Sequence, residues 1–259
     1  MKKILFKIYK IIGIIIFWVA VWCLVSFTVN SKLLFPSPLD VLKAFALLCV
    51  TADFWLITLY SLLRVLFGIL ISLVIGSLLA IATEASKIAK SLLSPILSVV
   101  KATPVASFII LALLWLDRNT LPLFVTSLIV IPIVWSCVSE GIRSVDKNLV
   151  DVSCIYKFSL KDKALKLYIP SVSPFFMAAC RSSLGMAWKA GISAEVLSTP
   201  QKAIGTELYF SKTYLETPTL FAWTAVIIIL SIAFEKIFVA SLEKLGNKLN
   251  ILRKEQRND

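Results

Sequence analysis

The chain has 259 residues, of which 59 % are hydrophobic and 16 % charged, whereas charged residues make up about a quarter of a soluble domain. A polytopic membrane protein is therefore expected. The formal net charge of +12 arises from short Lys/Arg clusters beside apolar runs, not from one basic face, which sets nucleic acid aside as a partner. Histidine is absent, so the commonest general base and the commonest metal ligand are both missing, and no catalytic residue, metal site or bound cofactor is expected.

Backbone groups at membrane depth find no water, so each crossing must be a helix or part of a closed barrel, and long unbroken apolar runs select helix. A crossing takes roughly 20 mostly apolar residues at about 1.5 Å each. Taken in order, the runs place six spans at 11–29, 62–83, 98–116, 120–140, 173–197 and 217–240, giving an all-α integral membrane protein with one domain over 1–259. The first run follows a basic Lys2, Lys3, Lys7, Lys10 segment but reaches about 19 residues without a small-residue cleavage pattern, so it reads as a retained span.

Between the first two spans, Phe35-Pro-Ser-Pro38 fixes an extended turn, and Ser37 or Asp40 is placed to cap a following interfacial helix. In the second span Gly68, Ser72, Gly76 and Ala80 recur every four residues, a small-residue stripe that permits close helix contact. Pro104 has no backbone donor and forces a bend or a helix start in the third span, where broken helices often border a path. The cysteines, Cys23, Cys49, Cys137, Cys154 and Cys180, lack paired spacing and are given no role.

Arg64, Arg181, Lys189 and Glu195 are the ionisable groups nearest span interiors, and each costs about 2.5 to 3.5 kcal/mol at a helix centre. They must face protein or water. One reading lines a path with Pro104, Arg181, Lys189 and Glu195, which suits an anionic solute; the other has the cations snorkelling or paired with Glu195. Putting the basic N-terminus inside assigns Lys87, Lys90, Lys101, the 143–166 segment and the basic tail to the same side, so both termini are expected in the cytoplasm.

The most informative segment is the polar interlude at 146–172, which separates the fourth and fifth spans. Residues 149–156 suit one short helix, and 160–169 a second with Leu160, Ala164, Leu167 and Tyr168 on its apolar face, the pair closed by Pro170 and Pro174. Helices this short are unstable alone in water, so they need something to dock against. The phosphate cradle G-x-x-x-x-G-K-[ST] is absent among the eight glycines, so any ATP chemistry belongs to another polypeptide.

This interlude resembles the cytoplasmic signature E-A-A-x3-G-x9-I-x-L-P of the membrane subunits of binding-protein-dependent ABC importers. Asp151-Val152-Ser153 falls on its opening, Lys157-Phe158 where glycine and alanine usually stand, and Leu167-Tyr-Ile-Pro170 on its close. Further fragments, Ser61 to Gly68, Lys101-Ala-Thr-Pro104, Gly141 to Asp146, Arg181 to Trp188, Ala194-Glu195 and Ile204-Gly205, extend the likeness toward the nitrate, sulfonate and taurine branch. The resemblance implies a permease in the cell membrane, dimeric with a second copy, gripped by an ATP-binding subunit through Asp151, Val152, Ser153, Lys157, Phe158, Leu167, Pro170 and Pro174, and fed by an external solute-binding protein. It implies transport of a small organic or inorganic anion or a vitamin precursor. The alternative is a self-powered secondary transporter, although paired halves with matching interruptions are not seen. A membrane enzyme fares worse, since neither H-E-x-x-H nor a Ser/His pair can be built without histidine.

Overall fold

The computed structural model describes the backbone of residues 2–255 and the side chains of Tyr9 and residues 12–241. The basic Lys2, Lys3, Lys7 and Lys10 side chains and the polar tail from Leu245 to Asp259, both used to orient the chain, lie outside the described side chains. Every element among the described residues is helical: α1 (Lys2–Val29), α2 (Pro38–Val50), α3 (Ala52–Ala85), α4 (Lys87–Ala102), α5 (Val105–Ala112), α6 (Leu121–Arg143), α7 (Lys147–Ile155), α8 (Leu160–Lys163), a π-helical turn (Ala164–Tyr168), α9 (Ile169–Ser198), α10 (Ile204–Thr213) and α11 (Thr217–Glu255).

Local chemistry sets the helix starts. Ser37 caps α2, its Oγ accepting from Asp40 N at 3.2 Å and donating back to Asp40 Oδ2 at 2.9 Å, with Pro38 in the first turn where a missing N–H costs nothing. That hydrogen bond, with Lys32 nearby, holds the Asp40 carboxyl below its usual range. Thr51, Ser86, Asp146 and Ser159 cap α3, α4, α7 and α8 in the same way.

Among the described residues four helices are long and apolar enough to cross a membrane, at Ile12–Val29, Ala52–Ala85, Leu121–Arg143 and Thr217–Ser241, and a fifth crossing results if α4 and α5 count as one broken span. The expected span at 98–116, with its bend at Pro104, falls on α4 and α5, which meet at 105°. The cause is Pro104: its ring pushes Thr103 into an extended conformation, with φ −83° and ψ 132°, and the helix cannot continue through it. The expected span at 173–197 lies inside α9, which is 30 residues long but diluted by Arg181, Lys189, Glu195 and several serines, so it falls short of the other crossings in apolarity.

At the centre, α6 is sandwiched between α3 and α9, and these two contacts are the most extensive in the fold. Val65, Ile69, Val130, Val134, Leu184 and Trp188 fill the interface and are all buried. The small-residue stripe of α3 makes the approach to α6 possible, since Gly68, Ser72, Gly76 and Ala80 are all buried. An added Cβ would lie 2.8 Å from Thr126 Cβ at Gly68 and 2.8 Å from Val134 Cβ at Gly76. A second cluster, including Ile109, Leu121, Val125 and Ala194, pins α5 to α6 and α9.

A sign reversal checks this packing. Gly→Ala within a helix ordinarily gains up to about 1 kcal/mol, and Gly13→Ala, with nothing within 4 Å of its Cβ, is expected to be neutral or mildly stabilising. Gly68→Ala and Gly76→Ala are expected to lose about 1 to 3 kcal/mol through overpacking, read as a lowered thermal midpoint of the detergent-purified chain.

Candidate functional site

Glu195 is fully buried on α9, and its carboxylate is completely engaged. Ser61 Oγ donates to Oε2 at 2.8 Å, Gly205 N donates to Oε2 at 3.1 Å, and Arg64 Nη1 donates to Oε1 at 3.3 Å. Arg64 continues outward, giving Nη1 to Lys202 O at 3.1 Å and Nη2 to Gln201 O at 2.6 Å. Ser61 Oγ also accepts Ile204 N at 2.9 Å, so one hydroxyl ties α3 to the last turns of α9 and the start of α10. The loop needs this support because Thr199 and Lys202 adopt φ of 46° and 48°, which disfavours side chains with a Cβ. Gly205 must be glycine for a different reason: a Cβ would meet Val196 N at 2.5 Å and the Glu195 backbone beside it.

The opposite face of α9 is open. Met186, Lys189, Ser193 and Leu197 are exposed at spacings that follow one helical stripe, and they form one wall of a cleft of about 630 Å³. Its other walls come from the end of α4, the bend, α5 and α6, with Lys101, Thr103, Phe108 and Pro132 among them. The charged side chains lining it are Lys101 and Lys189, both basic.

Of the expected path residues, the structure thus brings together Lys189 and the Pro104 bend, whose flanking Thr103 and Val105 line the cleft. Arg181 is exposed on α9 but is not part of that lining. Glu195 faces the protein interior rather than the cleft, and its cationic partner is Arg64, not Arg181 or Lys189. Sequence reasoning singled out Arg64 as a buried charge without finding its role; the adjacent Ser61, three residues earlier and one helical turn away, was the available signal.

In the polar interlude, α7 ends in a Schellman turn. Phe158 N donates to Ser153 O at 2.9 Å and Lys157 N to Cys154 O at 3.1 Å, with Lys157 at φ 51°. Lys157 therefore takes up the left-handed conformation that a glycine ordinarily serves at this place, and the turn is as tight as one with glycine. Ser153 is buried, while Asp151 and Val152 are exposed and Phe158 and Leu167 half-buried. Ser159 caps α8 and donates to Asp162 Oδ2 at 2.6 Å, and Lys166 pairs with Asp162 at 3.1 Å while lying 5.3 Å from the Phe158 ring centre. The Ser159 hydroxyl first, and Lys166 second, hold the Asp162 carboxyl below its usual range.

One expectation for this segment is corrected. Pro170 and Pro174 do not close the helix pair, because both lie within α9. The proline-compatible solution is the π-helical turn just before them, where Ile169 N reaches back to Ala164 O and widens the helix ahead of the Pro170 ring. Of the expected apolar face, Leu160 is 88 % exposed and Ala164 exposed, while Leu167 and Tyr168 are half-buried. An unpartnered apolar surface also lies on α7 and its end, where Leu149, Val152 and Tyr156 share one face and Ile155, 76 % exposed, sits beside them.

A family model described as "Binding-protein-dependent transport system inner membrane component" matches residues 68–245. The nitrate import permease protein NrtB of Synechococcus elongatus is 30 % identical over 207 residues, covering 74 % of this chain and 71 % of that protein. The putative aliphatic sulfonates transport permease protein SsuC of Bacillus subtilis is 23 % identical over 79 % of this chain and 74 % of its own length. Among solved structures, the crystal structure of an amino acid ABC transporter with histidines superposes with a TM-score of 0.58 at 15 % identity, over 73 % of this chain and 90 % of the other, a likeness of fold.

Removing the buried carboxylate by Glu195→Leu strands Arg64, Ser61 and the Gly205 N–H, and is expected to cost about 3 to 5 kcal/mol, seen as a large fall in thermal midpoint. Lys189→Gln, on the exposed stripe, is expected to stay within about 0.5 kcal/mol of the parent. For the turn, Lys157→Gly relieves roughly 1 kcal/mol of left-handed strain, and the Phe158 amide is expected to exchange its hydrogen about fivefold more slowly.

Proposed function

This chain belongs to the family of binding-protein-dependent transport system inner membrane components, and from that premise we propose that two copies of it enclose a path along which a small anion is imported. It is a multi-pass membrane protein and the permease subunit of an ABC importer, an assignment that displaces the self-powered carrier. Its family implies an ATP-binding subunit and a solute-binding protein as partners.

The single observation that carries the coupling role is the unpartnered apolar face of α7, with Leu149, Val152, Ile155 and Tyr156 exposed on a short helix held in shape by the Lys157 turn. Such a face is built for a groove on a partner, here the ATP-binding subunit. The helical chain from Leu160 through the π-helical turn to Ser198 then joins this handle to the Lys189 stripe, so a displacement of the handle moves a wall of the cleft. ATP favours one arrangement only to the extent that the motor's affinity for it differs between the two states.

Support for an anion comes from two sides. The relatives NrtB and SsuC are described as permeases for nitrate and aliphatic sulfonates, and the charged groups lining the cleft are both lysines. The basic interlude, with Lys147, Lys157, Lys161, Lys163 and Lys166, is assigned to the cytoplasmic side of the cell membrane, and with α9 counted as a crossing beside the broken α4–α5 span both termini fall on that side too.

Proteoliposomes containing this chain with its ATP-binding subunit test both parts. Ile155→Asp is expected to cut transport at least about tenfold, a loss near 1.4 kcal/mol of coupling, with the spans still inserted; unchanged transport and co-purification would remove the coupling assignment. Lys189→Gln is expected to lower nitrate or ethanesulfonate uptake while the ATP-binding subunit still co-purifies. The exposed Cys154 offers the topology check: a membrane-impermeant thiol reagent should reach it only after the cell membrane is opened.

A further inference from the structure

Lys101 ends α4 at the edge of the cleft, and its Nζ donates to Ser136 Oγ on α6 at 2.7 Å. Ser136 does not line that cleft. It lines a second cavity, of about 340 Å³, between α3, α4 and α6, at the end of the bundle that leads into α7. One lysine–serine hydrogen bond therefore stands at the boundary between the two spaces.

The chemistry on either side differs. Above, the cleft is largely apolar, with Lys101 and Lys189 as its charged groups. Below, the cavity is more polar and is lined by Glu84 and Glu140 as well as by basic groups, and the basic groups are already engaged, Arg143 and Lys90 both pairing with Glu84. Lys101 is the cation at the junction, and its partner there is a neutral hydroxyl, which an anion exchanges for at far lower cost than a carboxylate. Thr103 and Ser193 add hydroxyl groups to the cleft on the way to it.

We propose that Lys101 is a second solute-contacting residue, which releases Ser136 to take an anion from the Lys189 cleft and passes it into the cavity beneath. The proposal rests on the reading of the cleft as the path, and extends it from one lysine to two successive ones. A purely structural role is the competing explanation, since a lysine in the last turn of α4 also complements the helix dipole.

Charged thiol reagents separate these without knowing the natural solute. In the full chain in lipid nanodiscs, with the native cysteines replaced by serine, Ser193→Cys reports on the cleft and Ser94→Cys on the lower cavity. The measured quantity is the labelling rate of 2-sulfonatoethyl methanethiosulfonate divided by that of its trimethylammonium counterpart. Lys101→Gln is expected to lower this ratio at least about threefold at both positions, the order a unit charge a few ångströms away produces in watery surroundings, and Lys101→Arg to restore it. Ser136→Ala, which keeps the charge, is expected to raise the anionic rate at Ser94→Cys by about the same factor, and decides the matter if Lys101→Gln does not fold.

Unchanged ratios in Lys101→Gln, or an unchanged anionic rate at Ser94→Cys in Ser136→Ala, overturn the proposal. So does a fall confined to Ser193→Cys, because the anion would then not be handed on. In each of these cases a ratio that still falls in Lys189→Gln leaves the path reading standing. If the parent shows no anion preference at Ser193→Cys and Lys189→Gln changes nothing, the path reading and the proposal fall together.

Discussion

A carboxylate without water is the constraint around which this membrane protein is arranged. Glu195 is fully buried, and a charge there is tolerable only if every lone pair that matters is met by a donor. The donors come from three places in the chain: Ser61 and Arg64 on α3, and the backbone N–H of Gly205 at the start of α10. Meeting them fixes α3, α9 and α10 relative to one another. The left-handed backbone at Thr199 and Lys202 follows from the same demand, because the chain must turn quickly enough to bring Gly205 onto the carboxylate and Gln201 and Lys202 carbonyls onto Arg64.

The interlude shows a second way of bearing strain. Lys157 occupies a left-handed position at a cost of roughly 1 kcal/mol, and the surrounding bonds make up the difference: two backbone bonds of the turn, the Ser159 cap and the Asp162–Lys166 pair. The resulting short helix has a fixed shape before it meets anything. On the proposed coupling role, less conformational entropy is then lost on docking, which is the advantage of a preformed handle over a loop that orders on contact.

Much of this was legible in the sequence, and the residues show why. The stripe Gly68, Ser72, Gly76, Ala80 follows helical periodicity, and the helix contact it permits is the α3–α6 interface. The fragments Ser61 to Gly68, Ala194-Glu195 and Ile204-Gly205, each weak as a string, meet in one cluster around the carboxylate. What could not be read is what depends on distant chain segments. Nothing local says that Glu195 turns inward while Lys189, less than two turns earlier on the same helix, turns to a cleft; that division is made by α3 on one side and by the α4–α5 bend on the other. Pro170 misled for a related reason. A proline near a helix start reads as a boundary, but a π-helical turn absorbed it and the helix ran on.

The two faces of α9 also limit how the permease can move. One face is bound to α3 through a buried ion pair that is costly to break inside a membrane, so α3, α9 and α10 are expected to travel as a unit. The other face borders α5, which is short, sharply bent away from α4 and joined to α9 through small side chains such as Ala112, Ala190 and Ala194. These contacts, with Ile109, Leu121 and Val125 among them, are apolar and strand nothing when they shift, whereas the Glu195 cluster cannot shift without stranding a charge. On the proposed path, relative movement across the cleft is therefore expected at the α4–α5 bend, where Thr103 has an extended backbone beside Lys101. The rigid cluster and the bend are complementary: the one keeps the Lys189 wall fixed to α3, and the other is where that unit is expected to move against the opposite wall.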